Sequence, residues 1–160
     1  MIVEKEIIIN KSIQNAWNVL GVDFANPSRW ASAVNHSEGG GSAIHGSACS
    51  ERGCATTMGS IREKLLTFSS EKYALSYEVV EGIPPMVTSA TNQWTLTELK
   101  PDQCKLHMRM DIRLKGFWVL WLEPILKWQM SRMGTHLVED FAFYVEKGMP
   151  HPRKIKTQRT

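Results

Sequence analysis

A carboxylate and a guanidinium on neighbouring predicted strands are the clearest chemical signal in the sequence. In residues 60–67, Glu63 falls on the same side as Ile61 and Leu65, because successive strand side chains alternate between two faces. Glu63 is therefore predicted to point inward, where a carboxylate without a partner holds its proton more tightly and could act as a general acid or base. Arg52, on the preceding predicted strand, could pair with it. The pair would then anchor a ligand carboxylate or carbonyl, or the two groups would simply neutralise each other.

Two further polar side chains, Tyr77 and Asn92, occupy positions that alternation also turns inward. Tyr77 lies between the outward-facing Ser76 and Glu78, and Asn92 shares the more apolar face of its strand with Trp94. A buried phenol or amide usually finds a hydrogen-bond partner. Each could contact a ligand or belong to ordinary core packing.

Histidine and cysteine do not indicate a metal centre. His36 falls on an apolar strand face, so it is a candidate ligand contact or a core residue. The set His36, His45, Cys49 and Cys54 has no standard zinc-ligand spacing, and no metal or cofactor is predicted. The three cysteines are an odd number without a Cys-x-x-Cys pair, which favours reduced structural thiols.

Several apolar side chains at core-facing positions could line a ligand space. Methionine thioethers are flexible and suit an irregular ligand, and tryptophans could form walls. Ordinary core packing is the alternative for every one of them. The candidates are Trp30, Trp94, Met108, Met110, Met130, Met133 and Leu137.

A long helix near the C-terminus would hold part of this set. Apolar residues recur every three or four positions from Val119 to Tyr144, the period of one helix face. Pro124 fits best in a first turn and Gly148 suits the position after the last, so the spacing predicts a helix over residues 124–147, about 36 Å long.

A second stripe lies beside the apolar face of this helix. If exposed, it would favour a homodimer or contact with a membrane surface; a wide sheet could instead bury it. The stripe consists of Phe117, Trp118, Trp121, Ile125 and Trp128.

The rest of the chain has the pattern of one sheet. Residues 2–9 form the first predicted strand, and two short helices follow, beginning near Ser12 and Asp23. From Lys105 to Leu114, polar and apolar residues alternate without interruption, as in a strand with one solvent-exposed face and one buried face. The sequence predicts an α+β fold, in which a seven-stranded curved antiparallel sheet wraps on the long C-terminal helix. The other predicted strands cover residues 30–38, 47–55, 60–67, 72–80 and 86–99.

Charge is concentrated at one end of the chain. Residues 149–160 contain four cations and no acid, so removing them from the net charge of +3 leaves −1. We expect residues 1–148 to form one domain and 149–160 a basic disordered tail. The body shows no basic face interleaved with aromatics, so nucleic-acid binding is not predicted.

Without a signal peptide or a span of ~20 apolar residues, a cytoplasmic location is the default expectation.

Short motifs along residues 2–148 occur in the order of a known family. They are residues 23–30 (DFANPSRW), Arg52 ahead of residues 59–63 (GSIRE), residues 75–79 (LSYEV), 94–96 (WTL) and 123–126 (EPIL). With this element order, the chain resembles the polyketide cyclase/dehydrase family of the START-related, birch-pollen-allergen-like superfamily (SRPBCC), which has the helix-grip fold. The resemblance implies a cavity between sheet and helix for a hydrophobic or amphipathic small molecule, with residues 39–41 and 82–85 at its rim. Some relatives catalyse cyclisation or dehydration there, and others carry or sense ligands.

Three hypotheses about function follow. The first is a binding protein that holds a lipid- or polyketide-like molecule for transport, storage or sensing. The second is a cyclase- or dehydratase-type enzyme, with Glu63 as acid or base and Arg52 and Tyr77 polarising a carbonyl. The third is a protein whose interior is filled by its own side chains and which acts through its surface.

Overall fold

One antiparallel sheet of seven strands forms the body of the molecule. The structure is a computed structural model and describes residues 1–116 and 119–157. The spatial order of the strands is β1-β7-β6-β5-β4-β3-β2, so the first strand pairs with the last. The predicted α+β fold is confirmed. The strands are β1 (Ile2–Ile9), β2 (Val34–Gly40), β3 (Glu51–Thr56), β4 (Gly59–Ser69), β5 (Ala74–Glu81), β6 (Val87–Lys100) and β7 (Gln103–Leu114).

Three short helical segments follow β1, where the sequence predicted two short helices. Helix α1 (Ile13–Trp17) begins at Ser12, whose hydroxyl accepts a hydrogen bond from the Asn15 backbone N–H. The chain continues through a π-helical turn (Asn18–Val22) and then a 3₁₀ turn (Pro27–Arg29). These segments lie between β1 and β2 and carry Phe24 and Trp30 into the core.

The long helix α2 (Val119–Lys147) begins five residues earlier than predicted. Pro124 therefore lies inside the helix, where it removes one intrahelical hydrogen bond, and does not occupy the first turn. The predicted end is confirmed, because Gly148 follows with a φ of 69° that a residue with a side chain rarely adopts. Among the described residues, no helix has both the length and the apolar character needed to cross a bilayer.

The C-terminal half of α2 packs closely on the sheet. A Cβ added to Gly134 would lie 3.0 Å from Met110 Cε and 3.1 Å from Met108 Cε, so glycine allows the close approach. Beyond this point, Phe141 of α2 meets Trp30 and Trp94, with ring centroids 5.2 and 6.0 Å away. We call Trp30, Trp94 and Phe141 the aromatic cluster. It fills the space between this half of α2 and the sheet.

Burial of the inner sheet face decreases towards the end at which α2 begins. On β6, Trp94 and Asn92 are buried, whereas Ala90 is only half-buried. The neighbouring strands show the same change. Their half-buried residues at this end are Ile61, Val79 and Leu114, and α2 starts five residues after Leu114. We call these three residues, together with Ala90, the open end of the sheet.

Residues 149–157 include a further α-helix, in the segment for which the sequence predicted a disordered tail. Helix α3 (Pro152–Thr157) follows α2, and Lys154 is buried. Its Nζ donates hydrogen bonds to the carbonyl oxygens of Ala31 (3.0 Å) and Val34 (2.7 Å). Arg153 Nη1 lies 2.9 Å from Oδ1 of the buried Asp140. Two cations of this segment, Arg153 and Lys154, thus hold α3 against the preceding structure.

Candidate functional site

A buried ion pair joins β3 and β4 on the inner face of the sheet. Arg52 and Glu63 are directly opposite each other in the antiparallel register. Arg52 Nε lies 2.5 Å from Glu63 Oε2, and each side chain is only 9% exposed. Arg52 Nη1 also donates to the backbone oxygen of Phe24 at 2.8 Å. The inward position predicted for Glu63 is thus what the structure shows, and the carboxylate has a partner.

Aromatic rings enclose the guanidinium of Arg52 on two sides. Its Cζ lies 4.2 Å from the ring centroid of Phe24 and 4.7 Å from that of Tyr77, within the range of cation–π attraction. Burial acts to lower the pKa of Arg52, but the charge of Glu63, with Tyr77 and Cys54, raises it above its ordinary value. Arg52 therefore stays charged although it is buried.

Tyr77 and Asn92 continue this polar group across β5 and β6. They are directly opposite each other in the register, and Asn92 Nδ2 donates to the Tyr77 hydroxyl at 3.1 Å. Burial, with the nearby Glu63 charge, raises the pKa of Tyr77. The phenol remains protonated and can donate a hydrogen bond. We call Arg52, Glu63, Tyr77 and Asn92 the polar belt.

Two contacts of the polar belt were missed by the sequence reasoning. Cys54 Sγ lies 3.8 Å from Glu63 Oε2, and burial raises the pKa of this thiol to about 12. Cys54 shares a strand face with Arg52, two residues away, so alternation could have found it. Phe24 lies in the irregular segment between α1 and β2, where no periodicity assigns a direction.

The polar belt lies between the aromatic cluster and the open end of the sheet. Tyr77 and Asn92 lie two residues along their strands from the buried Leu75 and Trp94, and Trp94 belongs to the aromatic cluster. On the other side, Glu63 pairs with the half-buried Val79 of the open end. From the open end inward, the sheet face thus carries apolar side chains, then the polar belt, then the aromatic cluster.

Comparison with known proteins identifies the family. The family model described as "Polyketide cyclase / dehydrase and lipid transport" matches residues 1–146. The chain belongs to this family. Among curated proteins, none matches the chain.

Solved structures share the fold of this family member at low sequence identity. A START superfamily protein from Mycobacterium smegmatis has a TM-score of 0.75 at 15% identity, covering 92% of this chain and 99% of its own. The Zhui aromatase/cyclase from Streptomyces sp. R1128 has a TM-score of 0.72 at 13% identity, covering 92% and 94%. Truncated norcoclaurine synthase from Thalictrum flavum has a TM-score of 0.68 at 14% identity, also covering 92% and 94%. At these identities the likeness establishes the helix-grip fold.

His36 does not reach the interior of this family member. It is exposed, and the neighbouring Ser37 is buried in its place. The cause is a register shift between Val34 and His36, where β2 pairs irregularly with β3. A bulge of this kind exchanges inward and outward positions. The prediction that His36 faces a cavity is wrong.

The apolar candidates fall into two groups. Trp30, Trp94, Met108 and Met110 are buried and packed against α2 or one another. Met130, Met133 and Leu137 are half-buried along α2. Two of these also border a separate cavity of about 330 Å³, lined by Ser32, Ala33, Thr57, Met133, His136, Leu137, Asp140 and Arg153.

The cysteines are buried free thiols, as expected. In the described ranges, His, Cys, Asp and Glu side chains do not gather into a group of three that could hold a metal ion.

The second stripe of α2 is exposed where the structure describes it. Trp121 is 76% and Trp128 62% exposed, and Ile125 lies exposed between them. These positions are four and three residues apart, so they share one helix face. Phe117 and Trp118, the other aromatic residues of the predicted stripe, lie outside the described residues.

Proposed function

We propose that this protein binds a small hydrophobic or amphipathic molecule, lipid- or polyketide-like, between the sheet and α2, for transport, storage or sensing. The single observation that carries the proposal is the graded burial of the inner face. Apolar side chains are half-exposed at the open end, while the C-terminal half of α2 is packed tightly on the sheet. Burying those side chains against a ligand would be favourable.

The polar belt supports an amphipathic ligand within this proposal. Among the described residues, Arg52 uses Nε and Nη1 for hydrogen bonds within the protein, which leaves Nη2 for another acceptor. The Tyr77 hydroxyl is held by Asn92 and keeps its own proton. A purely apolar molecule reaching this depth would leave such donors unmatched, which is costly.

The test begins with native mass spectrometry of freshly purified protein, followed by solvent extraction of any bound molecule. Binding is then measured with an anilinonaphthalene sulfonate dye. Ala90→Phe narrows the open end, and Gln93→Phe adds the same side chain at an exposed position of the same strand. We expect Ala90→Phe to weaken dye binding about 10-fold or more and Gln93→Phe to leave it unchanged. A clean apo mass together with equal dye binding by both variants would contradict the proposal.

A second candidate function is an enzyme of the cyclase or dehydratase type. The favouring observation is that the protonated phenol of Tyr77 lies beside the Arg52 guanidinium, so both could polarise one carbonyl. Glu63 would then transfer the proton, although it must first loosen its bond to Arg52. With the extracted ligand as substrate, Glu63→Gln should lower turnover ~10²-fold or more while binding persists. Unchanged turnover would remove Glu63 from any mechanism.

We further propose that the exposed stripe of α2 contacts an anionic membrane surface to exchange ligand. Tryptophan and isoleucine on one helix face suit the interfacial region of a bilayer. Two cations lie near Trp128: Lys127 precedes it in sequence, and Arg132 Cζ lies 5.9 Å from its ring centroid. Trp121→Ser/Trp128→Ser should abolish sedimentation with phosphatidylserine vesicles and leave the monomer fold intact. Loss of self-association in analytical ultracentrifugation, with no vesicle binding by the parent, would instead identify a homodimer. The predicted cytoplasmic location would be tested by fractionation.

A further inference from the structure

A cavity of about 330 Å³ lies beside one face of α2. Residues 32–33, just before β2, and Thr57, just after β3, form part of its wall, and Arg153 of α3 forms another part. The α2 residues that line it are three or four positions apart and so share one helix face: Met133, His136, Leu137 and Asp140. None of the lining residues belongs to the polar belt, the aromatic cluster or the open end, so this cavity is separate from the ligand site at the open end.

Hydrogen bonds between its walls hold the cavity in shape. The Ser32 backbone N–H donates to Asp140 Oδ2 at 2.8 Å, which ties the segment before β2 to α2. The Thr57 N–H donates to the Ala33 carbonyl oxygen at 3.0 Å, which joins two further wall segments. Arg153 Nη1 donates to Asp140 Oδ1 at 2.9 Å and so fixes the wall contributed by α3. A site that is already formed loses little binding free energy to the ordering of its walls.

The charges around the cavity balance one another. Arg153 lies 2.9 Å from Asp140 and 2.8 Å from Glu139. The buried ammonium group of Lys154, which also interacts electrostatically with Asp140, supplies a second cation for the two carboxylates. A charged ligand entering the cavity would lose hydration and would find no unbalanced counter-charge among these groups. An uncharged ligand does not carry this cost.

Hydroxyl groups and an imidazole lie beside an apolar surface in this cavity. The hydroxyls of Ser32 and Thr57 and the imidazole of His136 make no hydrogen bond to another described residue. A hydroxyl and a neutral imidazole can each donate a hydrogen bond to a ligand oxygen or accept one from it. Met133 and Leu137 are half-buried, and a thioether packs well against the ring of a ligand. The lining therefore matches a ring compound that carries an oxygen-bearing group.

We propose that this cavity is a second small-molecule site, which takes a compact uncharged ring compound with a hydroxyl or carbonyl group and, when occupied, keeps α3 in place. Its volume is at the lower end of the range for ligand pockets, which limits the ligand to one or two rings. Because Arg153 supplies one wall, the site is complete only while α3 is docked. A ligand in contact with that wall therefore stabilises the docked helix by mass action. The inference goes beyond the proposed function, because it concerns a different cavity.

The first experiment compares three probes that share a benzene ring and a two-carbon side chain: 2-phenylethanol, phenylacetate and 2-phenylethylammonium. The first is uncharged, the second is an anion and the third is a cation. Binding is followed in spectra of protein with ¹³C-labelled methionine methyl groups. Met133 reports on this cavity, Met86 on the turn beside the open end, and Met110 on the packed core. We expect 2-phenylethanol to shift the Met133 signal saturably and to bind roughly 10-fold more tightly than either charged probe.

Variants then assign the binding to the cavity. Ala33→Leu places a larger side chain in it, and Ala48→Leu makes the same change at an exposed loop position. Ala33→Leu should remove the Met133 shift, and Ala48→Leu should keep it. Thr57→Val removes a lining hydroxyl and should weaken 2-phenylethanol binding about 3-fold or more, whereas the exposed Thr95→Val should leave it unchanged. Because the comparison of probes needs no variant, a failure of Ala33→Leu to fold leaves the test intact.

The second experiment measures whether the ligand keeps α3 in place. Trypsin cleaves after Arg153, Lys154 and Lys156, and intact-mass spectra give the fraction of molecules cut within α3. Cleavage within the helix requires it to leave its docked position. At ten times its dissociation constant, 2-phenylethanol should therefore slow this cleavage about 10-fold. The same concentration should give Ala33→Leu no protection, which controls for inhibition of trypsin itself.

The outcomes separate this inference from the proposed function. If 2-phenylethanol shifts the Met86 signal and leaves Met133 unchanged, binding at the open end stands and the second site is overturned. The second site is also overturned if the charged probes shift Met133 with equal affinity, or if a crystal structure with the probe shows only ordered water in the cavity. A saturable Met133 shift without slower cleavage would refute the link to α3.

Discussion

Replacing Arg52 by methionine is the most direct perturbation of the buried ion pair. Methionine keeps much of the side-chain volume and can still contact the rings of Phe24 and Tyr77. It removes the partner of Glu63 at 2.5 Å and the donor to the Phe24 carbonyl at 2.8 Å. The carboxylate is then left buried without a counter-charge.

The expected cost follows from the burial of both partners. Removing one member of a buried pair typically costs about 3–5 kcal/mol, because the remaining charge is uncompensated. For a domain of this size the whole free energy of unfolding is roughly 5–15 kcal/mol. At about 2–4 °C per kcal/mol, the melting temperature should fall by roughly 6–20 °C.

The assay is urea unfolding followed by tryptophan fluorescence, with a matched control on the surface. Arg62 pairs with Glu81 at 3.5 Å, but both side chains are more than half exposed. Arg62→Met should therefore cost less than about 1 kcal/mol. The double variant Arg52→Met/Glu63→Leu should recover most of the loss, because it leaves no buried charge.

Two results would refute this reasoning. The first is a loss of stability in Arg52→Met as small as that in Arg62→Met, which would mean that water reaches Glu63 and screens its charge. Alternatively, the double variant could be as unstable as the two single changes combined. In that case Arg52 and Glu63 would contribute independently to the free energy of unfolding, without a pairwise interaction.

Three other predictions concern single residues. Cys54 should resist iodoacetamide at about pH 8, since moving its pKa from 9.0 to about 12 lowers the thiolate fraction about 1,000-fold; labelling at the rate of the unfolded chain would contradict the burial. Gly134→Ala should raise the free energy of unfolding by up to about 1 kcal/mol, because the flexible ends of Met108 and Met110 can move aside; a loss measured by urea titration would show that they cannot. Lys154→Met should cost about 1–3 kcal/mol by leaving two carbonyls unmatched. Burial lowers the pKa of Lys154 against the opposing effect of Asp140, so the unfolded state binds this proton more tightly. The parent should therefore gain stability over Lys154→Met as the pH rises towards about 10, and a flat difference would refute this.

The alternation of side chains along regular strands correctly predicted which site residues point inward. It turned Glu63, Tyr77, Asn92 and Trp94 inward, and all four are buried. This works because strand geometry fixes the side of each residue without knowledge of its partner. The pairing of Arg52 with Glu63 needed the register between two strands, which turn lengths and packing decide.

The failures occur where local pattern does not determine structure. The register shift in β2 turned the His36 side chain outward. Such a bulge depends on how two strands pair, which the sequence of one strand does not determine. The start of α2 was placed at Pro124 because proline prefers a first turn, but a proline is also tolerated inside a helix at the cost of one hydrogen bond, and α2 begins at Val119. Lys154 was assigned to a disordered tail, since only the folded chain brings two carbonyls to its ammonium group.

The pairing of the first strand with the last has a consequence for synthesis on the ribosome. β1 (Ile2–Ile9) cannot form its ladder until β7 (Gln103–Leu114) has been made, and α2 is made later still. At 5–20 residues per second, the delay is roughly 5–20 s. During that time the isoleucine-rich β1 is an unpaired strand on the nascent chain, able to pair with other chains. We expect this N-terminal strand to be the segment that molecular chaperones engage first, and translation speed after β1 to influence the yield of folded protein.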